Sequence, residues 1–245
     1  FPTLLLLLMG GGLIAAGFKM RTRAKVEDDK AQTETLPISE IEYYKNPEHI
    51  YSLLNVEAVE VEFGYSLIPL VDESKGGNFL NRVVQLRRQF ATEVGMVIPS
   101  VSLRDNAELN MNEYIIKLKG EIIARGEVLA DHYLVLAPAG VQDTIRGIET
   151  IEPAFKIPAK WITSDLREMA QMTGYTVIDP LSVIITHLSE IIRCHAHELL
   201  GRKDVYTLLD NLKKVNKELV EEVVPAVISH SDLQKVLCNL LSEGI

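Results

Sequence analysis

Val56-Glu57-Ala58-Val59-Glu60-Val61-Glu62-Phe63-Gly64-Tyr65-Ser66-Leu67-Ile68-Pro69-Leu70-Val71-Asp72 is where this chain of 245 residues changes from tether to folded body. The first eight positions alternate loosely between apolar and charged side chains, the two-residue period of a strand. From Gly64 to Asp72 the reading continues as strand with a kink, because Pro69 has no N–H for a sheet ladder. Lys75-Gly76-Gly77-Asn78 then makes a loop, with Asn78 placed to cap a helix. Phe79, Val83, Leu86, Phe90 and Val94 recur at spacings of 4, 3, 4 and 4, one apolar face of that helix, which Gly95 ends.

Downstream, Val101–Leu103, Tyr114–Leu118 and Glu121–Val128 read as strands, with a turn at Asp105-Asn106. Residues 131–179 change texture: short apolar runs such as Tyr133–Ala137 are broken by Gly140, Gly147, Pro153 and Pro158. A short helix from about Ser164 to Thr173, closed by Gly174, and a strand Tyr175–Ile178 complete what reads as a small inserted β-rich subdomain. From Asp179 the chain is helical. Asp179 caps, Pro180 takes the first helical position, and Leu181, Ile184, Ile185, Leu188, Ile191 and Ile192 form a face that runs to Gly201. Further helices centre on Val205–Leu212 and on Leu219–Val224, and Ser231 with Gln234 suggests a capping box for a last one. Its apolar pattern runs on to Gly244-Ile245, so further chain is expected beyond that point. The fold class is thus mixed α/β (α+β), in several subdomains, with a helical C-terminal subdomain.

Working back, residues 19–56 read as a basic collar and flexible linker, and Phe1–Phe18 as a transmembrane helix. The stretch 1–18 carries no Asp, Glu, Lys or Arg and is followed at once by Lys19, Arg21, Arg23 and Lys25. As a helix it would extend ~27 Å, just under a ~30 Å hydrocarbon core. Cations after the run, rather than before it, argue against a signal peptide and place the body on the cytoplasmic side. A buried core helix is the alternative, although no polar stripe interrupts the run. Gly10-Gly11-Gly12 fails as a phosphate loop, since no Lys-Ser/Thr comes after it.

The formal net charge is −9, and because residues 1–25 hold four cations and no anions, the remainder carries −13. So acidic a body argues against nucleic acid as a partner. Cys194 and Cys238 form no CxxC and suit reduced thiols. Nothing in the motifs calls for a cofactor.

His187, Cys194, His195, His197 and Glu198 are the most enzyme-like cluster, but no pair is spaced as in HExxH, and the adjacent Cys194 and His195 cannot face each other on a helix. Arg87-Arg88 with Lys75, Arg82 and Arg104 makes a basic spot, either a site for acidic neighbours or a solvated face. Glu152-Pro153-Ala154-Phe155 is a loop stiffened by Pro153 and Pro158, with Trp161 close behind. Either it offers an aromatic anchor to a protein partner, or Phe155 and Trp161 are tucked into the local core.

Gly64-Tyr65-Ser66-Leu67-Ile68-Pro69-Leu70-Val71-Asp72 also resembles a segment of the FlhA (FHIPEP) family, the membrane proteins of the bacterial flagellar type III export gate. So do Val97-Ile98-Pro99 followed by Leu103-Arg104-Asp105-Asn106, Tyr114-Ile115-Ile116 leading to Gly120, Thr186-His187-Leu188, and Glu198-Leu199-Leu200-Gly201-Arg202. The longest match is Glu149-Thr150-Ile151-Glu152-Pro153-Ala154-Phe155-Lys156-Ile157-Pro158-Ala159-Lys160-Trp161-Ile162.

The resemblance implies an export component and not an enzyme. It implies a ring, nonameric in the family, at the inner membrane, with residues 19–245 in the cytoplasm. Partners would be flagellar export chaperones with bound substrates, other export gate membrane proteins and the export ATPase complex, with lipid around residues 1–18. It divides the body into a first subdomain (57–130 and 180–199), an inserted second (131–179) and part of a third (200–245). A chaperone-binding groove between the first two carries over to Glu152, Phe155 and Thr186: an apolar anchor at Phe155, a charged rim at Glu152 and a contact from the facing helix at Thr186. Many relatives have Asp where Glu152 stands and Gly where Lys156 stands. The homologous gate of virulence type III secretion systems is the nearest alternative. A membrane-anchored enzyme built on the His187–Glu198 cluster is the other.

Overall fold

A computed structural model describes residues 56–72, 76–138 and 145–244; the stretch 1–18, the linker up to residue 55 and Lys75 lie outside them. Strand β1 (Val59–Phe63) is central in its sheet and buried along its whole length. It pairs in parallel with β2 (Val101–Asp105) and antiparallel with β3 (Glu113–Leu118). β3 pairs antiparallel with β4 (Glu121–Glu127), giving the order β2-β1-β3-β4. The parallel pair needs a crossover, and the helix predicted from Phe79 supplies it.

Gly64–Asp72 is not strand. After a 3₁₀ turn (Tyr65–Leu67) comes the short helix α1 (Ile68–Val71), and Pro69 sits in its first turn, where a missing N–H costs nothing. A residue with a Cβ cannot replace Gly64, because the atom would collide with the carbonyls of Asn110 and Met111. Its own N–H donates to Glu113 O (2.8 Å) and that of Ser66 to Met111 O (3.0 Å), so the chain leaves the ladder there. Helix α2 (Phe79–Glu93) buries Phe79, Val83, Leu86 and Phe90, the face its spacing predicts, although the Asn78 side chain makes no capping bond.

A second antiparallel sheet contains β5 (His132–Leu136), β6 (Ile148–Ile151), β7 (Pro158–Thr163) and β8 (Thr176–Ile178), in the order β6-β7-β5-β8. Helix α3 (Arg167–Met172) precedes β8 and buries Ala170 with Val135, Ile145, Ile162 and Tyr175. The other face of the sheet, through Leu134, Ala159 and Trp161, joins the main core of β1, β3, α2 and helix α4 (Pro180–Cys194).

Asp179 caps α4 by accepting from Ser182 N at 3.0 Å, and Pro180 begins it, as the sequence predicts. The helix stops before Gly201, at His195, whose Nδ1 lies 2.9 Å from Ile191 O. A short turn α5 (Ala196–Leu199) then leads into α6 (Arg202–Lys213), α7 (Lys217–Val223) and α8 (His230–Glu243). The cap of α8 is Ser229, accepting from Asp232 N at 3.1 Å, and not Ser231 with Gln234; the Gln234 side chain instead donates to Leu200 O. Among the described residues no helix is long and apolar enough to cross a membrane.

Three cations of the basic spot have partners of their own, two of them acidic. Arg82 is bound to Ser182 and Asp179 at the start of α4, Arg87 donates to Pro99 O (3.1 Å), and Arg104 pairs with Glu60 (2.9 Å).

Candidate docking site

The β6–β7 hairpin closes over six residues, Glu152 to Ile157. Glu152 N donates to Ile157 O (2.8 Å), and Lys156 N donates back to Glu152 O (3.0 Å). Closing so short a connection sends the backbone through a left-handed residue, Lys156, at φ +58°. The Glu152 carboxylate turns inward: one oxygen accepts from Ala154 N (3.0 Å) and the other from Phe155 N (2.6 Å). Glu152 is 3% exposed, whereas Phe155, three positions on, is 58% exposed. Ile151 and Ile157, at the two ends of the loop, are exposed as well. Trp161, opposite Ile148 in the ladder, is in the core. The two aromatics therefore divide, one exposed at the tip and one packed in the core.

Behind the tip lies a buried polar pair. Tyr114 Oη is 2.9 Å from His187 Nδ1, and the two rings meet edge to face. Tyr114 stands across from Gly126 in the β3–β4 register, where any Cβ would collide with its ring. Burial pushes the tyrosine hydroxyl well above its ordinary range. Burial, and then the nearby Lys156 cation, push His187 down to about 4, against an opposing pull from Glu152. Both are therefore neutral at physiological pH, sharing one hydrogen bond.

Of the three residues carried over from sequence, the structure joins Glu152 and Phe155 directly, by the carboxylate-to-amide bond. Thr186 is half-buried on α4, next to His187. Among the described residues no hydrogen bond links Thr186 to the loop, whose Glu152 and Lys156 charges act instead on the adjacent His187. Sequence reasoning missed Tyr114 and His187 as the floor under the hairpin. Gly126 was the available signal, since a glycine inside a strand often marks close approach by a neighbour.

The enzyme-like cluster disperses. His187 is taken by Tyr114, His195 by a backbone carbonyl, and His197 lies 3.8 Å from Glu198. Burial and the Glu190 carboxylate raise the Cys194 thiol, which disfavours a nucleophilic thiolate. Among the described residues no three His, Cys, Asp or Glu side chains form a group that could hold a metal ion.

Comparison with known proteins gives this geometry its setting. The FHIPEP family matches residues 1–245, and the chain belongs to that family. It is 47% identical over 234 residues to the flagellar biosynthesis protein FlhA of Bacillus subtilis, covering 96% of this chain and 35% of that one. It is 37% identical over 245 residues to FlhA of Escherichia coli, again covering 35% of that protein. The chain thus spans about a third of the length of the curated relatives it matches. In fold it is similar to the Chlamydia pneumoniae CdsV protein, with a TM-score of 0.69 at 24% identity over 78% of this chain and 57% of that one. It is also similar to the nonameric EscV cytosolic domain from the type III secretion system, with a TM-score of 0.57 at 17% identity over 78% of this chain and 55% of that one.

Proposed function

We propose that this chain is part of a flagellar type III export gate and that its β6–β7 hairpin docks chaperone–substrate complexes for secretion. The observation that carries the reading is the exposure of Phe155 on a hairpin tip held by internal bonds. An aromatic presented by a rigid loop binds without the entropy loss of ordering it, which is what makes such residues anchors. Thr186, on α4 behind the tip, supplies a second contact. The flagellar reading is supported by the identity to FlhA proteins, which exceeds that to the solved injectisome gates. The virulence gate, favoured by those fold likenesses, is the second reading.

The proposal extends to architecture. Residues 1–18 span the inner membrane and 19–56 link to a cytoplasmic body. Residues 57–130 with 180–199, 131–179 and 200–245 act as first, inserted second and third subdomains. Copies assemble in a ring, for which the nonameric EscV domain is the fold precedent. Other export gate membrane proteins and the export ATPase complex are its further partners, and the role is one of docking without catalysis.

Its test is binding of the full chain to a purified chaperone–substrate complex of a late flagellar protein. Phe155→Ala and Thr186→Ala should each weaken binding at least about tenfold with folding intact. Binding indifferent to both changes overturns the site.

A further inference from the structure

Resting on that docking reading, we infer that Glu152 is a positioning residue: it shapes the hairpin tip that presents Phe155 and does not itself meet the partner. A charged rim residue would keep its carboxylate in water. Glu152 is 3% exposed, and each of its oxygens is occupied by a backbone amide of its own loop, at 3.0 and 2.6 Å. Its backbone closes the same turn from both sides, donating to Ile157 O and accepting from Lys156 N. Four bonds from one residue thus fix the path of residues 153–156, and the amide of Phe155 is one of their donors. Charge-assisted bonds of this kind are about twice as strong as neutral ones, and they satisfy donors that the tight turn would otherwise strand. A carboxylate spent in this way presents almost no surface to a ligand. Its charge is felt inward, at Tyr114 and His187. The residue type suits the role: either acid can reach two amides two and three positions ahead, as Asx turns do. A glutamine keeps the length but must turn an N–H₂ donor toward one of the two amide donors.

The experiment uses the full 245-residue chain with Glu152→Gln, Glu152→Asp, Phe155→Ala and the Glu152→Gln/Phe155→Ala double change. Amide NMR should show the Ala154 and Phe155 protons shifting upfield in Glu152→Gln and staying near their places in Glu152→Asp. Docking of the purified chaperone–substrate complex should fall about tenfold in Glu152→Gln and stay within about threefold in Glu152→Asp. The decisive arm is the double change. If Glu152 works through Phe155, removing it adds less than about twofold once Phe155 is gone. Losses that multiply, or amides that do not move in Glu152→Gln, overturn the inference. If wild type and Phe155→Ala dock equally, the docking reading is what fails, and the amide shifts alone then decide whether Glu152 holds the tip.

Discussion

Strand β1 and the β6–β7 hairpin tip both bury glutamates, and they satisfy them in opposite ways. On β1 the partners are side chains from neighbouring segments: Glu62 is bonded by Lys117 on β3 and Asn106 just after β2, while Glu60 has the Arg104 cation of β2 as an ion pair, its Oε1 accepting no hydrogen bond. At the tip, Glu152 is met by the backbone of its own loop. The first arrangement ties strands that are far apart in sequence and its worth is global. The second is local: its hydrogen bonds stay within the six residues of the loop. Carboxylates of one kind thus serve assembly in one place and presentation in the other, and the two should separate cleanly under mutation.

The largest effect is expected on β1. Burial alone would raise the Glu62 carboxyl, but Lys117 and Asn106 hold it below its ordinary range. Lys117→Ala removes the ion-pair partner of a nearly buried carboxylate, leaving it the Asn106 hydrogen bond and the field of Arg104, and should cost about 3 kcal/mol in urea unfolding. Lys117→Met together with Glu62→Met should recover most of that loss. By contrast, Glu152→Ala should cost only about 1 kcal/mol, as loss of a cap does, while weakening docking far more. Equal stability losses at the two sites would break the comparison.

The same contrast explains how much of the molecule is legible in its sequence. Periodicity carries α2 and α4, because Phe79–Phe90 and Leu181–Ile192 repeat locally what the core needs. Gly64–Asp72 reads wrongly as strand because Pro69 is compatible with a sheet edge and with a first helical turn alike. What decides is the approach of Gly64 to the Asn110 and Met111 carbonyls, across the sheet. Ser229 and Ser231 are both plausible caps, each with a polar residue three positions on, and the turn entering α8 selects the first. At the proposed docking site, the stiff loop and its aromatic can be read from Pro153, Phe155 and Pro158. That Glu152 turns inward cannot, since a rim residue and a cap look alike in sequence. The Tyr114–His187 pair joins residues 73 positions apart and leaves no local trace except Gly126.

His187 offers an intermediate effect that sharpens the comparison, because it feels the charges of the tip from inside the body. In the unfolded chain it takes up a proton near its ordinary 6.5, and in the folded protein only near about 4. Between those values the unfolded state binds more protons, so stability falls as pH falls through the window. The loss attributable to His187 should reach up to about 1.4 kcal/mol per pH unit, read as the difference in urea-unfolding slope between the wild type and His187→Gln. NMR should find the imidazole neutral down to pH 5; titration near 6.5 would show that burial and the Lys156 cation do not act on it.

The smallest change isolates the shape of the tip from its charge. Lys156 holds φ +58°, a conformation that costs a side-chain-bearing residue about 1 kcal/mol and glycine almost nothing. Lys156→Gly should therefore stabilise the fold by about 0.5 kcal/mol, the gain being trimmed by glycine's greater freedom when unfolded. It should also raise the His187 pKa, since the Lys156 cation is among the causes holding it down. Lys156→Gln removes the same charge and keeps the strain, so it should raise the His187 pKa with no gain in stability. A tip whose docking follows Lys156→Gly and ignores Lys156→Gln is governed by backbone shape. A tip that responds to both alike selects its partner by charge, and Lys156 would then stand beside Phe155 as a contact where Glu152 does not.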